Sequence, residues 1–583
     1  MPVSVPTQDE IEELEHKAAQ AIQQMEQQLA ALDARVTALE DEATEPVPPD
    51  PRPPGTPEHP IVIPPEPIPP DPPAASAVVV HMGGTDYAYD PAAGTDVGSY
   101  RDPDGRFVMS CIRVKHPDCP LVLDFRATDA WRCVVLEYSD PLNGSCPNLT
   151  YSVTIEGTEH QVPDHWGNAS WRWQSAPWPH PLTPLATLYE RKLLPRHDGA
   201  LACGKASGLT NVTAPVPPMS LCGFTPDMPG TGGRADIGVV TGWQGEWMCT
   251  QGADMLRTVI TQGEASFNWK FRDKETGAIF DAIKAYPKAS MHWGSGPSGQ
   301  PQVYHGTGNK PGLDSAHSPS CYYVPFLLTG DPYFLEYHQG ALMYHYMEIP
   351  RSPDTVVGSE QVRGVAWSLR YLLNAADATP DDVPSWLLPK SLFVDELERQ
   401  RGLLQARQGD GWVYRNWSHI IDSYGRWQHA WWQHDYATAI AAWASMLHPE
   451  WAQQRDYMVE GIAGRCSDTS GWCPGYPTSY WTNTTSKNDW YPEGSFTDWA
   501  AAWDYNANYV YTDTPGGVCP TLESRLIINT TYDYFSAMMH ALRLASQAGC
   551  AQADEVLATL VEPWEAGLQQ YGYSEYKYCA APK

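Results

Sequence analysis

A run of proline limits what this chain can become. The stretch EPVPPDPRPPGTPEHPIVIPPEPIPPDPP, Glu45 to Pro73, is about half proline. Proline donates no backbone hydrogen bond and holds the preceding residue extended, so neither helix nor sheet passes through it. The expectation is a polyproline II spacer reaching up to ~90 Å at ~3.1 Å per residue. Whatever lies on its two sides must fold separately.

On the N-terminal side, one helix is expected from about Thr7 to Asp41. Its 4-3 seam reads Ile11, Glu15, Ala18, Ile22, Met25, Leu29, Leu32, Val36 and Leu39. A lone helix would expose that stripe, so the segment should pair with copies of itself as a coiled coil roughly 50 Å long. A homo-oligomer is expected, with a trimer favoured. No basic region followed by an apolar run marks a secretory signal, and no apolar stretch is long enough to span a bilayer.

Beyond the spacer the pattern changes twice. AVVVHMGG, GRFVMSCIRVKH, PLVLDFRA, WRCVVLEYS and LTYSVTIEGTEHQV are short β-branched or alternating runs punctuated by Gly, Pro, Asp and Asn. They predict an antiparallel β-sandwich closed by the Trp/Arg-rich ASWRWQSAPWP. From about Gly232 the candidates are apolar helical segments, among them WQGEWMCTQGADMLRTVI, DPYFLEYHQGALMYHYM, SEQVRGVAWSLRYLLNAA and WWQHDYATAIAAWASML. Helices of this size in series suggest an α/α toroid or an irregular solenoid. The expected fold is therefore multidomain: coiled coil 1–43, Pro-rich spacer 44–74, β-sandwich 75–200, and a mostly α-helical α/α toroid 201–583.

Charge and cysteine usage narrow the partners. A net charge of −31 repels polyanions and argues against nucleic acid. The 13 cysteines contain no C-x-x-C pair, and no His/Cys spacing supports zinc. No cofactor or metal is expected. Buried free thiols are the default, although Cys466 and Cys473 are close enough in sequence to bridge a loop.

The stretch LDSAHSPSCYYVPFLLTGDPYFLEYHQG, Leu313 to Gly340, carries the sharpest local signals. Gly330 suits a left-handed cap, Asp331 an N-cap and Pro332 a first helical turn, which together make a helical hairpin. Ser318-Pro319 offers the same pair at the start of the first helix, and Pro325 would kink that helix near its middle. Asp314 and His317 then sit at the end of the hairpin away from the turn.

Several motifs here, in order, resemble a group of phage, prophage and bacterial proteins with a six-hairpin-glycosidase-like toroid. They are WRWQSAPWP, LLPRHDGAL, GGRADIGVVTGWQGEWM, FRDKETGAIF, DSAHSPSCYYVPFLLTGDPYFLE and EQVRGVAWSLRYLLNAADATPDD, spread over about Trp171 to Leu447. The resemblance implies the toroid. It does not fix the reaction, because such toroids host hydrolases, lyases and non-catalytic binders.

Glycoside hydrolysis needs two carboxyl groups roughly 5–9.5 Å apart. The candidates are Asp236, Asp314 and Asp435, with His317 as a further catalytic group. A lyase instead needs a neutral His or Tyr base and an Arg or Asn to hold a uronate carboxylate, for which His317, Tyr323, Arg363 and Tyr424 are available. Asp236 and Asp314 equally suit helix caps, and His434 suits a hydrogen-bonded core position. With 24 Trp and 31 Tyr the chain is rich in stacking faces. The expected substrate-binding set is Tyr323, Arg363, Trp367, Trp412, Tyr424, Trp427 and Trp432. The competing reading is that these rings plug the toroid.

Coiled coil, stiff spacer and globular mass describe a phage tail fibre arm. The first expectation is a receptor-binding protein located on the virion tail and acting outside the cell. Its N-terminus would meet other tail proteins, and its head would bind, with or without cleavage, a host surface glycan. The alternatives are a free glycoside hydrolase or polysaccharide lyase oligomerised by its coiled coil, and a non-catalytic structural virion protein.

Overall fold

The computed structural model describes residues 77–139, 148–199, 215–223, 237–266, 269–273, 275–290, 315–348, 356–358, 362–406, 431–467 and 532–560, with a few isolated pairs between them. All lie in one compact unit, Pro65–Lys583. The coiled-coil seam, the proline spacer, Asp236, Asp314, Trp412 and Tyr424 fall outside the described residues, as does the side chain of Trp427.

The alternating runs form two antiparallel sheets. One has the order β2-β1-β7-β8, built from β1 (Val78–Met82), β2 (Thr85–Tyr89), β7 (Leu149–Ile155) and β8 (Thr158–His165). The other has the order β3-β4-β5-β6-β9, from β3 (Thr95–Arg101), β4 (Val108–Lys115), β5 (Leu121–Ala127), β6 (Arg132–Tyr138) and β9 (Trp171–Gln174). LTYSVTIEGTEHQV is a hairpin rather than a single run. Glu156 and Gly157 turn it with φ of 50° and 78°, the two left-handed positions a tight hairpin favours.

Side-chain period two gives the five-stranded sheet two different faces. Leu121, Leu123 and Phe125 of β5 join Val134, Leu136, Val80, Val153 and Val162 in the core between the sheets. Asp124 and Arg126 point the other way, and both are buried. That second face is covered by helices: Met109, Cys133 and Val135 belong to the same core as Phe334, Leu335 and Trp386. The five-stranded sheet is thus a middle layer, with the four-stranded sheet on one side and the helical body on the other.

The helical body runs α1 (Leu185–Glu190), α2 (Gly242–Thr250), α3 (Ala253–Gln262), α4 (Tyr323–Thr329), α5 (Pro332–Met347), α6 (Val362–Ala378), α7 (Lys390–Ala406), α8 (Trp431–Leu447), α9 (Ala452–Cys466) and α10 (Tyr532–Gln547). Helices adjacent in this order pack on one another from α2/α3 through α5/α6, α6/α7 and α8/α9, while α6 and α10 both pack on α8. WQGEWMCTQGADMLRTVI, expected as one helix, is two. Gln251 takes a left-handed conformation (φ 52°) and Gly252 starts the next helix. Thr241 and Gln244 cap α2 reciprocally, so the cap is theirs.

The Gly-Asp-Pro turn is present. Gly330 has φ 70°, and Asp331 accepts from the Tyr333 N–H at 3.0 Å with Pro332 in the first turn. The other end of the hairpin differs from expectation. The first helix begins at Tyr323, so Ser318 does not cap it and Pro325 sits in its first turn rather than its middle. Ser315–His317 form a short 3-10 turn instead.

Charged groups tie the middle sheet to the helices. Arg113 clamps Asp124 with two hydrogen bonds of 2.7 and 2.8 Å. Arg126 bridges Asp124 (2.9 Å) to Glu336 of α5 (2.7 Å). Lys270 lies 2.6 Å from Glu137 and 2.5 Å from Glu336, and Arg272 reaches the same two carboxylates at 2.6 and 3.0 Å. Four cations meet three carboxylates, all buried. Burial alone would raise the carboxyl pKa values. The cations outweigh it, drawing Glu137 down to about 2 and Asp124 well below the ordinary range. Gly340 of α5 lets this approach happen, because a Cβ there would collide with the Trp269 carbonyl oxygen. A second cluster joins Arg172 of β9 to Asp331 and Glu264, with the guanidinium 4.2 Å over the Tyr333 ring.

Candidate functional site

Helices α6 and α8 pack together and bring four of the sequence-derived residues into one place: Arg363 and Trp367 from α6, Trp432 and Asp435 from α8. The 3-10 turn carrying His317 packs on α6 as well. On α6, Arg363, Trp367, Arg370 and Asn374 recur at 4-3-4 spacing, which places them on one stripe.

The chemistry at this junction is enclosed. Trp367, Trp432 and Asp435 are fully buried, and Arg363 nearly so. The Trp367 and Tyr436 rings lie 4.8 Å apart, Tyr436 meets Trp432 edge-on at 5.7 Å, and the Arg363 guanidinium lies 5.4 Å over Trp432. The Arg363 backbone N–H donates to Gln433 at 3.1 Å. Tyr436 and Arg363 thus close in on Trp367 and Trp432, and both indoles are enclosed in this conformation.

Asp435 is paired. Arg465 of α9 donates to its Oδ1. Burial still holds the Asp435 carboxyl up at about 6, because the single guanidinium only partly offsets loss of water. Its neighbour His434 donates from Nε2 to Met458 O at 3.1 Å, as a core histidine does. Tyr323 lies apart from this junction: its hydroxyl donates to Leu193 O at 2.8 Å, and its ring meets Trp443 at 5.8 Å. It too is enclosed. His317 is buried.

Arg370, Tyr371 and Asn374 were not singled out from sequence. Arg370 is fully buried and donates to the Gly238 and Ser318 carbonyl oxygens, the second at 2.8 Å. Tyr371 donates to Pro319 O at 2.5 Å. The α6 stripe was the available signal: two arginines on a helix whose other faces are apolar.

Among the described residues, no three His, Cys, Asp or Glu side chains are placed to hold a metal ion. Among the described residues, no helix is long and apolar enough to cross a membrane. Cys466 is a free thiol against Met538, and Cys111, Cys119 and Cys133 are also free and buried; Cys473 lies outside the described residues. A shallow surface depression is lined by Val394, Asp395, Leu397, Glu398, His448 and Glu450, none of them a sequence-derived candidate. Comparison of the chain with protein-family models, with curated proteins and with solved structures finds no match.

Proposed function

We propose that this chain is a tail-fibre-type receptor-binding protein of a bacterial virus, whose head binds a host surface polysaccharide. The observation that carries the reading is the order of segments: a heptad seam, a proline-rich spacer, and then a large head. In this reading the seam joins copies of the chain into a homo-oligomer, a trimer by preference, and meets other tail proteins. The spacer holds the head away from the particle.

Support for a glycan partner comes from composition near α8. The segment from Trp412 to Trp432 interleaves Trp and Tyr with Arg, Asn and His, a mixture that suits sugar faces and hydroxyls. Binding is put ahead of cleavage because Asp435 is committed to Arg465 and lies buried. Cleavage would then rest on Asp236 and Asp314.

The test uses the purified full chain against a panel of bacterial cells and their extracted capsular and lipopolysaccharide fractions. Retention on cells and on one polysaccharide fraction is expected. Size-exclusion of the incubated polysaccharide distinguishes binding from depolymerisation. Absence of retention on every member of a panel that includes the natural host sinks the reading.

A further inference from the structure

Among the described residues, Arg370 is a buried cation without a buried anion. Its side chain has no exposure to solvent, and no carboxylate of those residues pairs with it. The arginines between the middle sheet and the helices each have at least one carboxylate partner. The two terminal nitrogens of Arg370 donate to the Gly238 and Ser318 carbonyls, and Nε–H has no acceptor. Burial lowers its pKa to about 10, and only Tyr371 and Cys321 resist that. A guanidinium stripped of water and not neutralised is costly, and removing such a charge from a core often stabilises it.

Other unsatisfied polar groups surround it. The Trp367 indole N–H, the Ser318 hydroxyl and both amide atoms of Asn374 are buried without partners. Trp367 and Tyr371 flank the guanidinium at 4.9 and 5.0 Å from their ring centres. Ser318 is adjacent through its own carbonyl, and Asn374 lies one turn along the same stripe. Arg370, Trp367, Ser318 and Asn374 therefore offer four N–H or O–H donor groups to a single missing anion.

We propose that this cluster on α6 is a binding site for the carboxylate of an acidic sugar. A carboxylate would take the Nε–H of Arg370 in a charge-assisted hydrogen bond. The indole N–H, hydroxyl and amide match the ring hydroxyls of a sugar. Sulfate could accept from all four donors but has no proton to give the Asn374 amide oxygen, which a sugar hydroxyl supplies. The choice of an acidic sugar over other carboxylates rests on the glycan reading above.

The full chain is titrated with sodium glucuronate, with glucose as the neutral match, and with sodium sulfate and sodium chloride at equal ionic strength. Thermal midpoint and calorimetric Kd are read. Glucuronate should raise the midpoint in a saturable way, with glucose and both salts giving no comparable shift. Arg370→Met should weaken glucuronate at least about tenfold, the loss expected for a charged hydrogen bond. Arg370→Lys should recover part of the affinity. Asn374→Ala should weaken binding with less effect on the free protein, which keeps the test decisive if Arg370→Met does not fold. No response of the wild-type chain to glucuronate overturns the site. So does an equal shift with sulfate, which makes it a plain anion pocket, or unchanged affinity in both Arg370→Met and Asn374→Ala. Retention on whole polysaccharide is read in parallel; if it survives while glucuronate fails, this site falls and the glycan-binding reading stands.

Discussion

The carboxylate of Asp331 does two jobs. One oxygen caps α5 through the Tyr333 N–H, and the other meets Arg172 from β9. Asp331→Asn keeps a capping oxygen and loses the charge, whereas Asp331→Ala loses both. The alanine variant should lose about 3–5 kcal/mol, because Arg172 is left buried with Glu264 alone and the cap is gone. The asparagine variant should fall short of that by about 1 kcal/mol, the ordinary worth of a cap. Urea midpoints with unchanged slopes would check the order; equal losses would mean the cap contributes nothing. Asp435 gives a prediction in pH. Its folded pKa of about 6 lies above the ordinary 3.8, so the folded state holds the proton more tightly. Its contribution is present below the unfolded pKa and is lost as pH rises through 6. Asp435→Asn should remove that part of the slope between about pH 4 and 6, read from unfolding midpoints in buffers across the range. A slope unchanged by the substitution would place the titration elsewhere.

At the scale of elements, Gly330 controls how the α4–α5 hairpin meets the sheet. Its φ of 70° favours glycine, and an added Cβ would strike Asp102 Oδ1 and Arg106 Nη2. Those two residues form the β3–β4 turn, from which Arg106 donates to Leu328 O at 2.9 Å. Gly330→Ala should therefore destabilise by about 2–4 kcal/mol, more than the left-handed strain of roughly 1 kcal/mol alone. A loss near 1 kcal/mol by chemical denaturation would show that the turn of the sheet yields. The turn itself was legible because Gly, Asp and Pro act locally. So were the β-branched runs and most long helices, whose period is carried by adjacent residues. The start of α4 was misplaced because Ser318-Pro319 has the local chemistry of a cap, yet Arg370 and Tyr371 hold the Ser318 and Pro319 carbonyls on another helix. β5 shows a limit of another kind. Alternation of Leu, Leu and Phe with Asp and Arg reads as one core face and one wet face. The second face is buried, because its charges find partners: Asp124 on Arg113 of β4 and Arg126 on Glu336 of α5. No period within β5 can report a partner more than two hundred residues away. The candidate site was partly legible for the same reason. Residue type picked out Arg363, Trp367, Trp432 and Asp435, and packing of α6 on α8 assembled them, but type alone could not say that the rings would face one another.

For the whole molecule, the charge cluster makes the sheets and the helices interdependent. Glu336→Gln leaves Arg126, Lys270 and Arg272 with less countercharge in a dry interface and should cost about 3–5 kcal/mol. If the loss is under about 1 kcal/mol, water reaches the cluster. The depressed carboxyls set the acid limit too. Their contribution is full above the unfolded value of 4.5 and is lost as pH falls toward the folded value of about 2 for Glu137. Unfolding midpoints should therefore drop steeply below pH 4.5, and a flat profile there would contradict the ion-pair assignment. Oligomeric state is the remaining check at this scale. A chain beginning at Ala77 should be monomeric by light scattering, whereas the full chain should not; equal masses would deny the N-terminal seam its assembly role.

The place where the head begins has a mechanical meaning. β1 starts at Val78 and is an interior strand, bonded to β2 along one edge and to β7 along the other. Antiparallel hydrogen bonds lie across the strand axis. Tension entering at Val78 along that axis is therefore shared by two ladders at once, instead of opening one bond after another as it would on an edge strand. A pull on the chain from the N-terminal side of β1 would be met where the sheet best resists being unzipped.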